Sequence, residues 1–293
     1  MKTLPITILI YDGPIARMYL ARLYQAGFRP AAILLMVLNR HPATGRNVAR
    51  WLPSKFRQVY AERNQEASLN YWPRFIRRSR PDLFEIICDG LGKIYRGADI
   101  LIGEMLGIAH YEKYADVVER AFINGLGDDT LVSSLQTLKH KTVLFTGGGI
   151  MPGKLFDVPG VRYIHVHPGR LPMIRGADGL LWSVLVRGRP GASCFYMDSG
   201  LDTGEIILAD DVSQISFDIS NIPRPDNQTL YRALFSYYDP LLRADFLANM
   251  LSNAKCADIS VLPSTNQNEK DGITYHFMHE KLRDEALKKL FIT

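Results

Sequence analysis

Apolar runs punctuated by Gly, Pro and Asp set the rhythm of this chain. Residues 6–11 form an apolar stretch closed by Asp12 and Gly13, which reads as a buried strand entering a turn. Residues 14–26 then alternate apolar and polar positions at helical spacing, with Gly27 placed to cap the helix, and residues 31–37 read as a second buried strand. Strand, loop, helix and strand in that order predict a doubly wound, mostly parallel α/β sheet. No Gly-x-Gly-x-x-Gly follows the first strand, so a dinucleotide fingerprint is absent.

Residues 39–80 break the rhythm. They are rich in Arg, Asn, Trp and Tyr, and their apolar positions fit no clean strand, which predicts a mostly helical insertion over the sheet's edge. Beyond it the pattern predicts a helix over 82–96, an ambiguous stretch over 100–119 (short strand, then helix), a strand over 120–124 and a helix over 128–138. Residues 141–145 and 162–166 read as strands, 179–186 as a helix and 192–197 as a third apolar segment. A strand over 212–217, a long helix over 229–253, an edge strand over 259–263, a flexible polar stretch over 264–271 and a last helix from about 279 complete the prediction. The expected organisation is one α/β unit over 1–253, carrying the insertion, and a C-terminal extension over 254–293.

Bulk properties narrow the class. With 293 residues, 47% hydrophobic and 22% charged, the chain is long enough for one large domain and ordinary for a globular protein. No apolar run approaches the ~20 residues that cross a bilayer. Cys88, Cys194 and Cys256 are far apart and form no Cys-x-x-Cys, which fits a reducing, cytoplasmic setting better than thiolate metal sites. The net charge of +5 is uneven: between Arg46 and Arg80 nine basic side chains face two acidic ones. Such an excess suits phosphate-bearing partners, or serves as a solvated helix face. Aromatics among these arginines can stack on bases or sugars, or pin a helical lid to the core; the second use is favoured.

Candidate chemistry concentrates between Thr146 and Leu208. Three glycines, Gly147 to Gly149, follow one strand, and a second strand ends on His165-Val166-His167-Pro168, where proline stops the ladder at the strand's C-terminal mouth. In open α/β sheets ligands bind at that mouth. His165 and His167 share one face of a strand, since side chains alternate. A Gly- and Asp-rich turn, Asp198 to Gly204, follows the third apolar segment.

These residues resemble the formyltransferase family that uses 10-formyltetrahydrofolate. Its pattern, Asn-x-His-Pro-x-Leu-Leu-Pro with Arg-Gly soon after and Asp-x-Gly some three dozen residues on, is matched by His165 to Pro172, by Arg175-Gly176 and by Asp202-Thr203-Gly204. One departure stands out: His165 occupies the family's asparagine position. The resemblance implies His167 as proton shuttle, Asp202 as its orienting group and His165 as oxyanion donor. It implies folate held by Gly148, Gly149, Ile150 and Met151 and by the loop containing Asp198. Arg175-Gly176 is expected to support the loop, and Arg170, where relatives carry leucine, to reach an anionic group. The implied activity is transfer of a formyl group to a small amine, such as a nucleotide-linked amino sugar or an amino-acid-derived amine. Formyltetrahydrofolate hydrolysis, a silent folate-binding protein and a metal-dependent amidohydrolase are the alternatives. Folate and an amine acceptor are the expected partners, with no membrane, a homodimer left open and nucleic acid as a weaker option. The tail is too short for the β-barrel domain of tRNA-acting members.

Overall fold

A computed structural model describes residues 1–41, 44–49, 51–108, 110–254 and 258–293. In chain order the elements are β1 (Lys2–Ile10), α1 (Pro14–Gln25), β2 (Phe28–Leu38), α2 (Ser54–Leu69), α3 (Tyr71–Ser79), α4 (Pro81–Gly92), α5 (Ala98–Gly107), β3 (Val117–Ile123), α6 (Asp129–Gln136) and β4 (Thr142–Phe145). Then come the single turn α7 (Gly153–Phe156), β5 (Arg162–His167), β6 (Ile174–Gly176), α8 (Gly179–Arg187), β7 (Gly191–Tyr196), β8 (Ile206–Asp211), β9 (Phe217–Asp218), α9 (Asn227–Ala233), α10 (Asp239–Asn253), β10 (Ile273–Tyr275), α11 (Glu280–Leu290) and β11 (Phe291–Ile292).

Seven strands form the main sheet in the order β3-β2-β1-β4-β5-β7-β8. The pairs from β3 to β5 are parallel, whereas β7 runs antiparallel to β5 and β8 antiparallel to β7. Strands buried on both faces need continuous apolar runs, and β1 supplies one, its last five residues all buried. One face carries Ile8, Ile164 and Val166 against α1, α8 and α10; the other carries Leu9, Phe145 and Tyr163 against α6 and α7. The chain winds outward through β2 and β3, then returns to β4 on the other side of β1. That reversal opens a crevice at the C-terminal ends of β1 and β4.

The insertion is helical, as its pattern predicts, and polar bonds tie its underside to the strand ends. Gln65 Oε1 accepts from the Leu38 N–H at 2.8 Å and its Nε2 donates to the Met36 carbonyl at 2.7 Å. Asn70 Nδ2 donates to the Asp12 carbonyl at 2.8 Å. Below them Arg17 pairs with Asp12 and with Glu66, which also holds Arg74. The apolar side chains of the insertion divide by burial. Ile76 is buried and Trp72 and Phe75 are half-buried, while Trp51, Phe56, Tyr60 and Tyr71 face solvent. Arg50, counted above in the basic excess, lies outside the described residues.

Four local expectations are corrected. The stretch around 100–119 has the opposite order, helix α5 first and strand β3 second: Gly97, at φ 74°, starts the helix, and Val117 and Val118 begin the strand. The strand placed at 212–217 lies earlier, as β8, because its ladder starts from Ile206 opposite Phe195. Residues 259–261 form a turn of 3-10 helix instead of an edge strand, with Asp258 accepting from the Ser260 N–H. The long helix is interrupted by a π turn at Leu234–Tyr238, beside Pro240, which has no N–H to continue the regular ladder.

The C-terminal stretch, of which 264–271 is expected to be polar and flexible, is tied to the rest of the fold by backbone pairing. Thr265 and Ile206 exchange backbone hydrogen bonds, β10 pairs with β6, and β11 pairs with β9. Cys88 and Cys194 are free thiols, and Cys256 lies outside the described residues.

Candidate active site at the end of strand β5

Alternation along β5 sends Ile164 and Val166 into one core, leaving Tyr163, His165 and His167 on the opposite face. The two imidazoles have different surroundings. His167 is 3% exposed. Its Nδ1 lies 3.4 Å from Asp202 Oδ2, while its Nε2 is sealed, with no hydrogen-bond partner among the described residues. Two glycines make that seal: a Cβ on either Gly169 or Gly179 would come within 2.7 Å of Nε2. Ser193, opposite His167 on β7, holds the turn after β5 by donating to the Gly169 carbonyl and accepting from the Leu171 N–H, both at 2.8 Å.

His165 is less enclosed, with its ring beside Phe145 and edge-on to Phe195. Its Nδ1 lies 2.8 Å from the Phe145 carbonyl oxygen. A carbonyl only accepts, so Nδ1 carries the proton. The lone pair of neutral Nε2 then faces Arg243 Nη1 at 3.5 Å. Desolvation, then the Arg243 charge, pushes His165 down to about 4 from its ordinary 6.5. Burial also lowers His167, with the Asp202 charge opposing it. Both rings are therefore neutral at pH 7. A neutral His165 with this tautomer has no free N–H for an oxyanion, which bears directly on the role the resemblance implies for it.

Asp202 reaches the site from the β7–β8 connection in a left-handed conformation, φ 56°. Its Oδ2 accepts from the Gly176 N–H at 2.8 Å, and its carbonyl accepts from Gln267 Nε2 at 3.0 Å. Gln267 also donates to the Gly204 carbonyl at 2.6 Å and accepts from Arg175 Nε at 3.3 Å. Arg175, 3% exposed, further binds the Asn268 carbonyl. Arg175-Gly176 thus supports the loop, as expected. Gly176 has φ 92°, and a Cβ there would meet the Tyr275 carbonyl at 2.1 Å, so no side chain fits.

The remaining predicted residues flank β5 on both sides. Gly148, Gly149 and Ile150 are exposed on the loop after β4, with Ile150 76% exposed, whereas Met151 turns inward among Val143, Phe145 and Leu155. Asp198, on the other side, is exposed, and its Oδ1 accepts from the Gly200 N–H at 3.0 Å and from Thr203 Oγ1 at 2.7 Å. Arg170 is drawn into an ion pair with Asp211, which Arg187 shares, so its expected reach to an anionic ligand is not what its side chain does here.

Sequence reasoning missed Arg243 and Asp239. They form an i,i+4 pair on α10, a spacing that usually marks a solvated helix face; here Asp239 is fully buried and Arg243 donates to the Val166 carbonyl at 3.2 Å. It also missed Gln267 and Asp178, the latter accepting from Tyr231 Oη at 2.9 Å and from the Met278 N–H at 2.8 Å. Among the described residues no group of three or more His, Cys, Asp and Glu side chains is arranged to hold a metal ion. Nor is any described helix long and apolar enough to cross a membrane. A cavity of about 680 Å³ opens elsewhere, between β8 and α10, and none of the predicted site residues lines it.

Comparison with known proteins adds the family. Residues 115–220 match the model of the formyl transferase family. Over this stretch the chain is similar to the formyl transferases. Every predicted site residue, from Gly148 to Asp202, falls inside the matched formyltransferase segment, whereas the insertion, Arg243 and Gln267 fall outside it. The methionyl-tRNA formyltransferase of Syntrophus aciditrophicus is 36% identical over 90 residues, 30% of this chain and 28% of that protein. That of Clostridioides difficile is 33% identical over 89 residues, 29% of this chain and 28% of that protein. The chain thus matches less than a third of the length of these curated relatives. Among solved structures, a sugar N-formyltransferase from Shewanella sp is 12% identical with a TM-score of 0.44, covering 97% of this chain and 87% of that one.

Proposed function

We propose that this chain is an enzyme that transfers the formyl group of 10-formyltetrahydrofolate to the amine of a small acceptor. The observation that carries the reading is the buried His167 facing Asp202 at the mouth of β5, inside the segment that matches the formyltransferases. The amine nitrogen attacks the formyl carbon, and the carbonyl electron pair moves onto oxygen. Collapse of that tetrahedral species breaks the bond to the folate nitrogen, which takes up a proton while the amine gives one up. A neutral, buried imidazole beside a fixed carboxylate suits that relay. Since Nε2 of His167 is sealed, the proton passes along its Nδ1 edge, where Asp202 is the more accessible partner. Asp202, or a water on it, takes the amine proton first, His167 shares it through Nδ1, and the same edge returns it to the departing folate nitrogen. The folate would lie against the exposed backbone of Gly148 and Gly149, beside Ile150 and Met151, and across β5 against the Asp198 turn.

The acceptor in this reading is a nucleotide-linked amino sugar. Arg232 lies over the Trp72 ring at 5.4 Å and Arg283 over the Tyr231 ring at 5.0 Å, beside the Asp178 that precedes Gly179. Arginine and aromatic faces together suit a base and its diphosphate. Residues 258–293 belong to the same working unit, since Gln267 braces Asp202.

Calorimetric titration of the purified chain with a stable folate analogue is the first test. Binding in the micromolar range supports the reading. Incubation with 10-formyltetrahydrofolate and a panel of amines, read by mass spectrometry, should then give a formamide 28 Da heavier than the amine (about the mass of CO, from the transfer chemistry of). Formate release without any formamide would replace transfer by hydrolysis. Absence of folate binding would overturn the proposal.

A further inference from the structure

We infer that Arg243 supplies the N–H donor for the developing oxyanion that His165, in the asparagine position, cannot supply. The inference rests on the formyl-transfer reading and concerns a residue outside the matched segment. His165 spends its one N–H on the Phe145 carbonyl at 2.8 Å, and its bare Nε2 faces a guanidinium nitrogen at 3.5 Å. An asparagine at this position would have carried two amide donors; this imidazole offers a lone pair. The donor next to it belongs to Arg243.

That guanidinium is held from two sides. Nε pairs with the buried Asp239 at 3.1 Å, and Nη1 donates to the carbonyl of Val166, the residue before His167, at 3.2 Å. Nη2 has no hydrogen-bond partner among the described residues and is not one of the sealed polar atoms. The side chain is 12% exposed, so one edge meets solvent while the rest is fixed. Its charge acts on both imidazoles. A fixed cationic donor in a mostly dry site is the arrangement that stabilises charge appearing on oxygen without reorganisation. His165 positions that cation through its lone pair and, being neutral, adds no repulsion. Arg243 keeps its proton throughout; only the formyl oxygen gains and loses negative charge.

Two measurements on the full chain test this. Nitrogen-15 NMR of His165 should show Nδ1 protonated and Nε2 bare at pH 7. A ring protonated at Nε2 would overturn the inference, whether or not the chain transfers formyl groups. Kinetics supply the second measurement. Removing Arg243 alone strands the buried Asp239, so the variant to use combines Arg243→Gln with Asp239→Asn, with its melting checked against the native chain. Its kcat should fall about 10²–10³-fold, the loss typical of one oxyanion donor, while folate-analogue affinity stays within about threefold. Adding His165→Asn, which restores an amide donor, should recover at least about tenfold of that loss. A folded double variant with kcat near native, or no gain on adding His165→Asn, would overturn the role of Arg243. Either result leaves the formyl-transfer reading standing, because that reading fails only if the native chain binds no folate or transfers nothing.

Discussion

Replacing Gly179 by alanine tests most directly whether the seal around His167 matters. An alanine Cβ would stand 2.7 Å from His167 Nε2, 2.9 Å from its Cε1 and 3.0 Å from the Pro168 carbonyl oxygen. The carbonyl belongs to the backbone turn held by Ser193 and cannot retreat cheaply, so the imidazole must move. Reaching an optimum near 3.5 Å from 2.7 Å requires a shift of roughly 0.8 Å. Room for it is scarce: the ring is 3% exposed and Gly169 closes the same nitrogen. Overpacking of this kind costs about 1–3 kcal/mol of stability, and a misplacement approaching 1 Å costs about 10²-fold in rate. Gly103 in α5 is the control. Nothing lies within 4 Å of its hypothetical Cβ, so alanine there should leave stability unchanged or raise it by about 0.5–1 kcal/mol. Urea unfolding of both variants, with formyl transfer measured in parallel, decides the matter. If Gly179→Ala unfolds at the native urea midpoint and turns over within twofold of native, the close packing of His167 is wrong.

Other substitutions probe the same geometry. Since His165 ionises near 4 when folded and near 6.5 when unfolded, the unfolded chain binds the extra proton between those values. Stability should therefore fall as pH drops from about 6.5 toward 4, by up to about 1.4 kcal/mol per pH unit for one such group; His165→Asn should flatten that slope, and an equal slope in both proteins would refute the assignment. Asp202→Asn preserves shape but removes the charge beside His167, so kcat should drop about 10²–10⁴-fold with little loss of folate-analogue affinity; a variant with native kcat would discard Asp202 as a proton-handling group. Gln267→Ala removes two donated bonds to the Asp202 loop, at 3.0 and 2.6 Å, and should cost about 1–3 kcal/mol and loosen the loop to proteolysis; unchanged melting and cleavage would show that the brace is idle.

Most of the sheet was legible in the sequence because its strands are buried on both faces. Such strands are continuous apolar runs, as β1, β2 and β4 are, and their order along the chain with helix α1 between them implies parallel winding. Local pattern failed where two readings of one run were equally apolar, as in α5 and β3, and where backbone pairing rather than side-chain period set the limits, as in β8. His165, His167 and Asp202 were legible because their spacing is local to one strand end and one turn. Their contacts were not. The antiparallel return of β7 is what carries the Asp202 loop back over β5, and no periodicity reports the direction in which a strand pairs.

The sequence by itself determined the α/β winding, the strand that ends in two histidines and the glycine-rich turns beside it. Each of these is encoded within a few residues. Only the tertiary structure decided that one nitrogen of His167 is closed off by Gly169 and Gly179, that the His165 Nδ1–H donates to the Phe145 carbonyl, and that Arg243 and Gln267 come from α10 and the C-terminal stretch to hold the site. The bonds of His165, Arg243 and Gln267 join residues tens of positions apart through backbone carbonyls, and every residue type carries a carbonyl, so side-chain pattern cannot mark them.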